Sequence, residues 1–216
     1  MDDIRYDIVS NNIQILLRKI AKHFEVRLKD IRWYHVRNWI ALSDDLIIAP
    51  YDFKNVLGKI MSGSVCYFEG FYMISYNSNT ELISSRRMKF SICHEIYHYL
   101  YHCKNELIEK RTFNDLISSN GYDSSEFIYE EEANIGASIM MMNDAAIYHL
   151  LSEEYRFTEL VHNFECSVSA LRVRLHTYLI YKIGYANYRY VWDMIDKFQN
   201  DKIKLHKQIM QDQMYG

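Results

Sequence analysis

The sequence predicts an α+β fold, mainly helical, with a small sheet and a C-terminal helical module. Three observations predict it. Only seven Gly and one Pro occur among 216 residues, too few breakers for a turn-rich all-β chain. Apolar residues recur at three- and four-residue steps over most of the length, the period of a helix with one buried face. One region, Val65 to Tyr76, instead reads as a hairpin or two short strands, with Gly70 near its middle.

Composition narrows the class of protein. With 49% hydrophobic and 25% charged residues, the chain is no disordered acidic or basic tail. A formal net charge of −3 exerts no global pull toward nucleic acid or an anionic membrane. The opening residues Met1 to Asp7 lack a basic segment followed by an apolar core, so no secretory signal is expected. No window approaches the ~18 apolar residues of a membrane span. Cys66, Cys93, Cys103 and Cys166 form neither a C-x-x-C pair nor a disulfide framework. The expectation is a soluble cytoplasmic protein with buried thiols.

The elements follow in order. Ile8, Ile13, Leu16, Leu17, Ile20 and Phe24 predict an amphipathic helix from Ile4 to about Phe24. Ile31 to Ile48 reads as extended or mixed structure, with a turn at Asp44-Asp45, and a short helix is expected from about Tyr51 to Ile60. After the hairpin, Asn77 to Thr80 form a turn. Ser84 or Ser85 caps a helix whose buried stripe is Met88, Ile92, Ile96 and Leu100. Arg111–Ser125 reads as a loop. A second helix spans about Phe127 to Met142, and the remainder is helical with a break near Gly184. Two units are expected, 1–148 and 149–216.

The chemistry sits in the middle of the chain. His94-Glu95-Ile96-Tyr97-His98 is an H-E-x-x-H motif on a predicted helix. Residues four apart differ by ~40° around a helix and ~6 Å along it, so two imidazoles can meet one ion. Glu95 flanks the same pocket and can reach a metal-held water without being a ligand. A catalytic zinc takes three protein ligands. Downstream, Glu130-Glu131-Glu132-Ala133-Asn134 opens the next helix. Glu130 and Asn134 share a helical face there, so Glu130 could bind the ion while Asn134 hydrogen-bonds an imidazole. The acidic triplet would also simply favour a helix N-terminus. His102 extends the series but lies ~12 Å from His94 along the axis, so it is read as a surface histidine or a neighbour of the ligands. Cys93 points ~100° away from His94 and is read as core.

These residues carry a resemblance. Arg87 to His102 resembles the active-site segment of the ImmA/IrrE family of metallo-endopeptidases, with a basic residue and Phe ahead of the motif and a trailing His. Glu130 to Asn134 is similar to that family's Glu-x-x-Ala-Asn motif, and Ile139 to Met142 to the apolar stretch after it. Leu160 to Leu175 resembles its helix-turn-helix-like C-terminal segment. The resemblance implies a zincin-like core in which His94, His98 and Glu130 ligate Zn²⁺ and Glu95 is the general base. Mn²⁺ or Fe²⁺ would also accept these ligands. It further implies cleavage of a partner repressor, often a helix-turn-helix protein, relieving repression in a mobile element, phage or stress regulon. The alternative is a non-proteolytic metal-binding regulator that binds a repressor or antitoxin.

Three departures from the family pattern stand out. Tyr97 replaces a common Gly, Gly136 replaces a Phe, and Asn143 replaces a Pro. Tyr97 and Gly136 are expected to be a size swap, the ring of one filling space left by the other. From Leu151 to Lys182, four basic residues are offset by four acidic ones, which speaks against a DNA-reading surface and for packing or repressor docking. A substrate strand is expected to add to the sheet edge around Tyr67–Tyr76.

Overall fold

The computed structural model describes residues 3–53, 61–81, 83–104, 113–116 and 127–215. Helix α1 (Asp3–His23) buries Tyr6, Val9, Ile13, Leu16, Leu17 and Ile20 along one stripe. A 3-10 turn (Leu28–Asp30) and α2 (Trp33–Ile40) lead into strand β1 (Leu46–Tyr51). Strands β2 (Met61–Phe68) and β3 (Phe71–Asn77) form the expected hairpin, pairing Val65 with Ile74 in its buried centre. Glu69 (φ 47°) and Gly70 (φ 96°) turn between them. Two successive positive φ values match the twist of the strands.

Helix α3 (Ser85–Tyr97) continues into a π turn (His98–Cys103). Strand β4 (Phe113–Leu116) then joins the sheet, whose order is β1-β3-β2-β4. The pair β1–β3 is parallel, and β2 is antiparallel to both β3 and β4. Helix α4 (Phe127–Met141) lies against α3 and α1. Five C-terminal segments follow: α5 (Asp144–Ser152), α6 (Phe157–Asn163), α7 (Val168–Tyr178) with a π turn to Ile183, α8 (Tyr188–Gln199) and α9 (Leu205–Tyr215). Gly184, at φ 93°, ends the π turn. This is the expected α+β architecture, a small sheet beside a helical core with a helical C-terminal part.

Three expectations meet corrections or limits. Tyr51 is not helical; it ends β1, paired with Asn77, and the rest of the helix expected to Ile60 lies largely in 54–60, outside the described residues. Pro50 is tolerated in β1 because that strand is an edge, where a missing N–H breaks no ladder. Within the loop expected at Arg111–Ser125, residues 113–116 form β4, and the others lie outside the described residues. Of the edge expected around Tyr67–Tyr76, β3 lies inside the sheet between β1 and β2, and among the described residues β4 pairs with β2 only from Met61 to Val65, short of Tyr67.

The C-terminal helices are joined to the core by a buried cation. Arg174 of α7 is fully buried. Its Nε donates to the carbonyl of Met142 at 2.9 Å, and its guanidinium pairs with Asp144 and reaches the Tyr6 hydroxyl at 3.4 Å. The turn between α6 and α7 has the expected form, with the Ser167 side chain accepting from the Ala170 N–H. Its basic residues are engaged within the chain: Arg156 with Glu159, Arg172 with Asp196, Arg174 as above, and Lys182 over the Tyr6 ring. Among the described residues, no helix is long and apolar enough to cross a membrane.

Candidate metal centre

Ser84 starts the helix that carries the motif. Its side chain accepts from the Arg87 N–H at 3.2 Å, satisfying one of the open donors of the first turn. The Arg87 guanidinium then donates twice to the Ser62 hydroxyl, at 3.0 and 3.1 Å, fastening β2 onto α3. Lys89 pairs with Glu165 in the turn before α7. The helix is thereby held on both sides before it reaches His94.

His94 and His98, one turn apart, point at Glu130 of α4. Nε2 of His94 lies 3.0 Å from Nε2 of His98 and 3.0 Å from Oε2 of Glu130. Nε2 of His98 lies 3.4 Å from Oε1 of the same carboxylate. All three side chains are buried, and their donor atoms lie within 4.8 Å of one another. Tetrahedral zinc with ligands at ~2.0–2.2 Å sets neighbouring donors about 3.3–3.6 Å apart. The observed triangle is within a few tenths of an ångström of that span. The sequence had brought these three residues together, and the structure does the same.

Protonation favours ligation. Burial drives the His98 imidazolium down to about 3, with Glu130 opposing it, so the ring is neutral and keeps a lone pair. Burial alone would raise the Glu130 carboxyl, but the imidazoles of His94 and His98 beside it prevail and hold it at about 2. A neutral imidazole and a carboxylate are the forms that bind a divalent ion. Cys93, beside His94, is wholly buried, and burial pushes its thiol up to about 12. It is core, as expected.

Glu95 lies against the sheet. A Cβ placed on Gly63 of β2 would stand 3.1 Å from both Cγ and Oε1 of Glu95. The glycine lets the strand come this close to the carboxylate. A glycine inside a strand pattern is a signal of close backbone approach, and it was available in the sequence. The two helices are also drawn together by a missing side chain. A Cβ on Gly136 would fall 2.0 Å from Cδ2 of Tyr97, so the aromatic ring occupies the place a larger residue would take. This is the expected size swap.

Asn134 stands one turn beyond Glu130, exposed, on the wall of a cavity of about 390 Å³ shared with Arg87, Phe90, Ser138, Ala170 and Val173. Among the described residues it makes no hydrogen bond to either imidazole. The neighbour of a ligand ring is His102, whose Nδ1 lies 2.8 Å from Nδ1 of His98 and whose Nε2 lies 3.0 Å from Oε2 of Glu132. Glu132 in turn faces Nε of Arg5 at 3.5 Å. The π turn carries this contact, and such insertions are frequent at functional sites.

Comparison with known proteins agrees with the geometry. Residues 51–176, more than half of the chain, match the family model described as the IrrE N-terminal-like domain (Peptidase_M78). No curated protein matches the chain. The matched stretch contains β2, β3, the helices that bring His94, His98 and Glu130 together, and most of α7.

Proposed function

The chain belongs to the IrrE N-terminal-like peptidase family, and from that premise we propose that it is a zinc-dependent endopeptidase of the cytoplasm. Its substrate on this reading is a helix-turn-helix repressor, whose cleavage relieves repression of a mobile element, phage or stress regulon. The observation that supports it best is the pairing of a closed His94–His98–Glu130 donor triangle with a fourth buried group, Glu95, held on the next helical position. A structural metal site needs no such neighbour and usually takes four protein ligands.

The residues divide the work. His94, His98 and Glu130 would hold the ion. A divalent metal bound there supplies a Lewis acid, polarising the scissile carbonyl and lowering the pKa of its water to ~7. Glu95 takes a proton from the attacking water on its carboxylate and passes it to the departing amine. Gly63 keeps the strand backbone close behind Glu95, which limits its swing away from the reacting water. Tyr97, packed where Gly136 leaves room, fixes the distance between the helices. Residues 1–148 form the metal-holding unit on this reading, and 149–216 the helical module that braces it or docks the repressor.

Co-expression with repressors from the genomic neighbourhood tests the proposal. Wild type should cleave one of them, and Glu95→Gln should not while still binding metal. Cleavage by both forms, or release of repression without any cleavage, would sink the catalytic claim.

A further inference from the structure

The contact between His98 and His102 fixes more than a ring position. In the arrangement described, the Nε2 atom of His98 faces His94 and Glu130. A neutral imidazole that offers its Nε2 lone pair to an ion carries its proton on Nδ1. That Nδ1 lies 2.8 Å from Nδ1 of His102, with both rings buried. Two neutral rings cannot both donate across such a gap, so His102 accepts there and carries its own proton on Nε2. The Nε2 of His102 lies 3.0 Å from Oε2 of Glu132, an acceptor. With an ion on Nε2 of His98, each donor finds an acceptor in the direction from His98 outward. The outermost partner, Arg5, belongs to α1 and lies outside the residues that match the peptidase family.

We propose that His102 and Glu132 are positioning residues that lock His98 in the Nδ1-protonated tautomer and aim its Nε2 at the ion, with Arg5 of the N-terminal helix steadying Glu132. The inference rests on the reading of His94, His98 and Glu130 as a metal site. In the opposite tautomer an N–H would point into the donor triangle and His98 could not ligate. Outer partners of this kind commonly contribute about 10–100-fold to metal affinity. The Arg5–Glu132 pair is partly exposed, with side chains 30% and 22% accessible, so its share is smaller.

Zinc affinity of the full chain, measured by competition with a chromogenic chelator, tests this without a substrate. His102→Leu should weaken zinc binding about 10–100-fold. His102→Gln should restore most of it, because its amide oxygen accepts from His98 and its NH₂ donates to Glu132. A packing role alone predicts the reverse order, with Leu tolerated at least as well as Gln. Glu132→Leu sits at a more exposed position and should fold, with a smaller loss of affinity; Arg5→Ala should lose least. Nitrogen-15 histidine spectra of the zinc-loaded protein supply a second readout, with His98 protonated on Nδ1 and His102 on Nε2. Unchanged affinity in both His102→Leu and Glu132→Leu, or a His102 protonated on Nδ1 in the zinc-loaded wild type, overturns the proposal. If wild type binds no zinc, the metal assignment itself falls; zinc binding that is intact in wild type and unmoved by the His102 and Glu132 variants overturns this proposal alone.

Discussion

The contact between Tyr97 and Gly136 offers the sharpest quantitative test. A methyl group at position 136 would lie 2.0, 2.5 and 2.8 Å from Cδ2, Cε2 and Cγ of the ring, where carbon atoms settle at ~3.5–4.0 Å. The ring would have to retreat by roughly 1.5 Å to reach that contact distance. It has nowhere to go, being 2% exposed and packed on Tyr101 and His102 at centroid distances of 4.8 and 5.2 Å. Helices α3 and α4 must part instead, and they carry the three donor atoms. Gly136→Ala should therefore cost about 3 kcal/mol, the upper end of ordinary overpacking, and weaken metal binding as well. Tyr97→Gly should cost about 3–5 kcal/mol for the void, plus ~1 for glycine inside a helix. Gly136→Phe should be worse than Gly136→Ala. The double variant Tyr97→Gly/Gly136→Phe should recover at least ~1 kcal/mol relative to the sum of its parts. Urea unfolding of the metal-free wild type and the four variants at one pH measures all of this. Additivity within about 0.5 kcal/mol, or a neutral Gly136→Ala, would refute the size swap and leave the metal site standing.

Three further outcomes are expected. Elemental analysis should find about one divalent ion per chain, lost in His94→Ala, His98→Ala and Glu130→Ala but kept in Glu95→Gln; retention in Glu130→Ala with loss in Glu131→Ala or Glu132→Ala would place the third ligand elsewhere. Arg174→Met should lower stability by about 3–5 kcal/mol, because Asp144 and the Met142 carbonyl lose a buried cation; chemical denaturation showing less than 1 kcal/mol would contradict the bracing role. Asp45 gives a pH test. Burial would raise its carboxyl, but hydrogen bonds from Tyr99, Ser43 and Lys104 hold it at about 2, against an ordinary 3.8. A depressed folded value stabilises the protein above the unfolded one, and that stability is lost as pH falls from 3.8 toward 2. Since the Asp45 side chain is 39% exposed, Asp45→Asn should cost only about 1 kcal/mol at pH 7, and the difference should vanish near pH 2.

What the sequence disclosed was whatever repeats along a helix. His94 and His98 recur at four-residue spacing, Glu130 opens a strongly patterned helix, and the buried stripe of α1 follows a three-four rhythm; each is a local signal that burial then reinforces. The compensating sizes of Tyr97 and Gly136 were legible because two departures fell on helices already required to meet. Contacts that join distant segments left no such trace. Arg5 and Glu132 are 127 positions apart, and nothing in either neighbourhood points to the other. His102 shares the 94–98 stripe, and its ~12 Å from His94 leaves it a surface histidine or a neighbour of the ligands, but spacing alone does not name Glu132 as its other partner. Arg174 was masked by its own chemistry, since a cation within Leu171, Leu175 and Tyr178 reads as surface until its partners Met142, Asp144 and Tyr6 are seen around it. The parallel β1–β3 pairing and strand β4 depend on crossovers, which periodicity does not encode.

Gly63 ties the reach of Glu95 to strand register. In β2, side chains alternate between faces, so a shift of one residue would bring Ser62 or Ser64 opposite the carboxylate and place a Cβ where 3.1 Å is all the room there is. That register is measured from the two-residue turn at Glu69–Gly70, through the pairs Phe68–Phe71 to Gly63–Tyr76. The turn therefore serves as a ruler for the room left to the Glu95 carboxylate on another element. Insertions into surface hairpin turns are ordinarily among the mildest changes a protein can undergo. One extra residue here would instead be transmitted along the ladder to the far end of β2, so this turn tolerates changes of residue type that keep positive φ far better than changes of length.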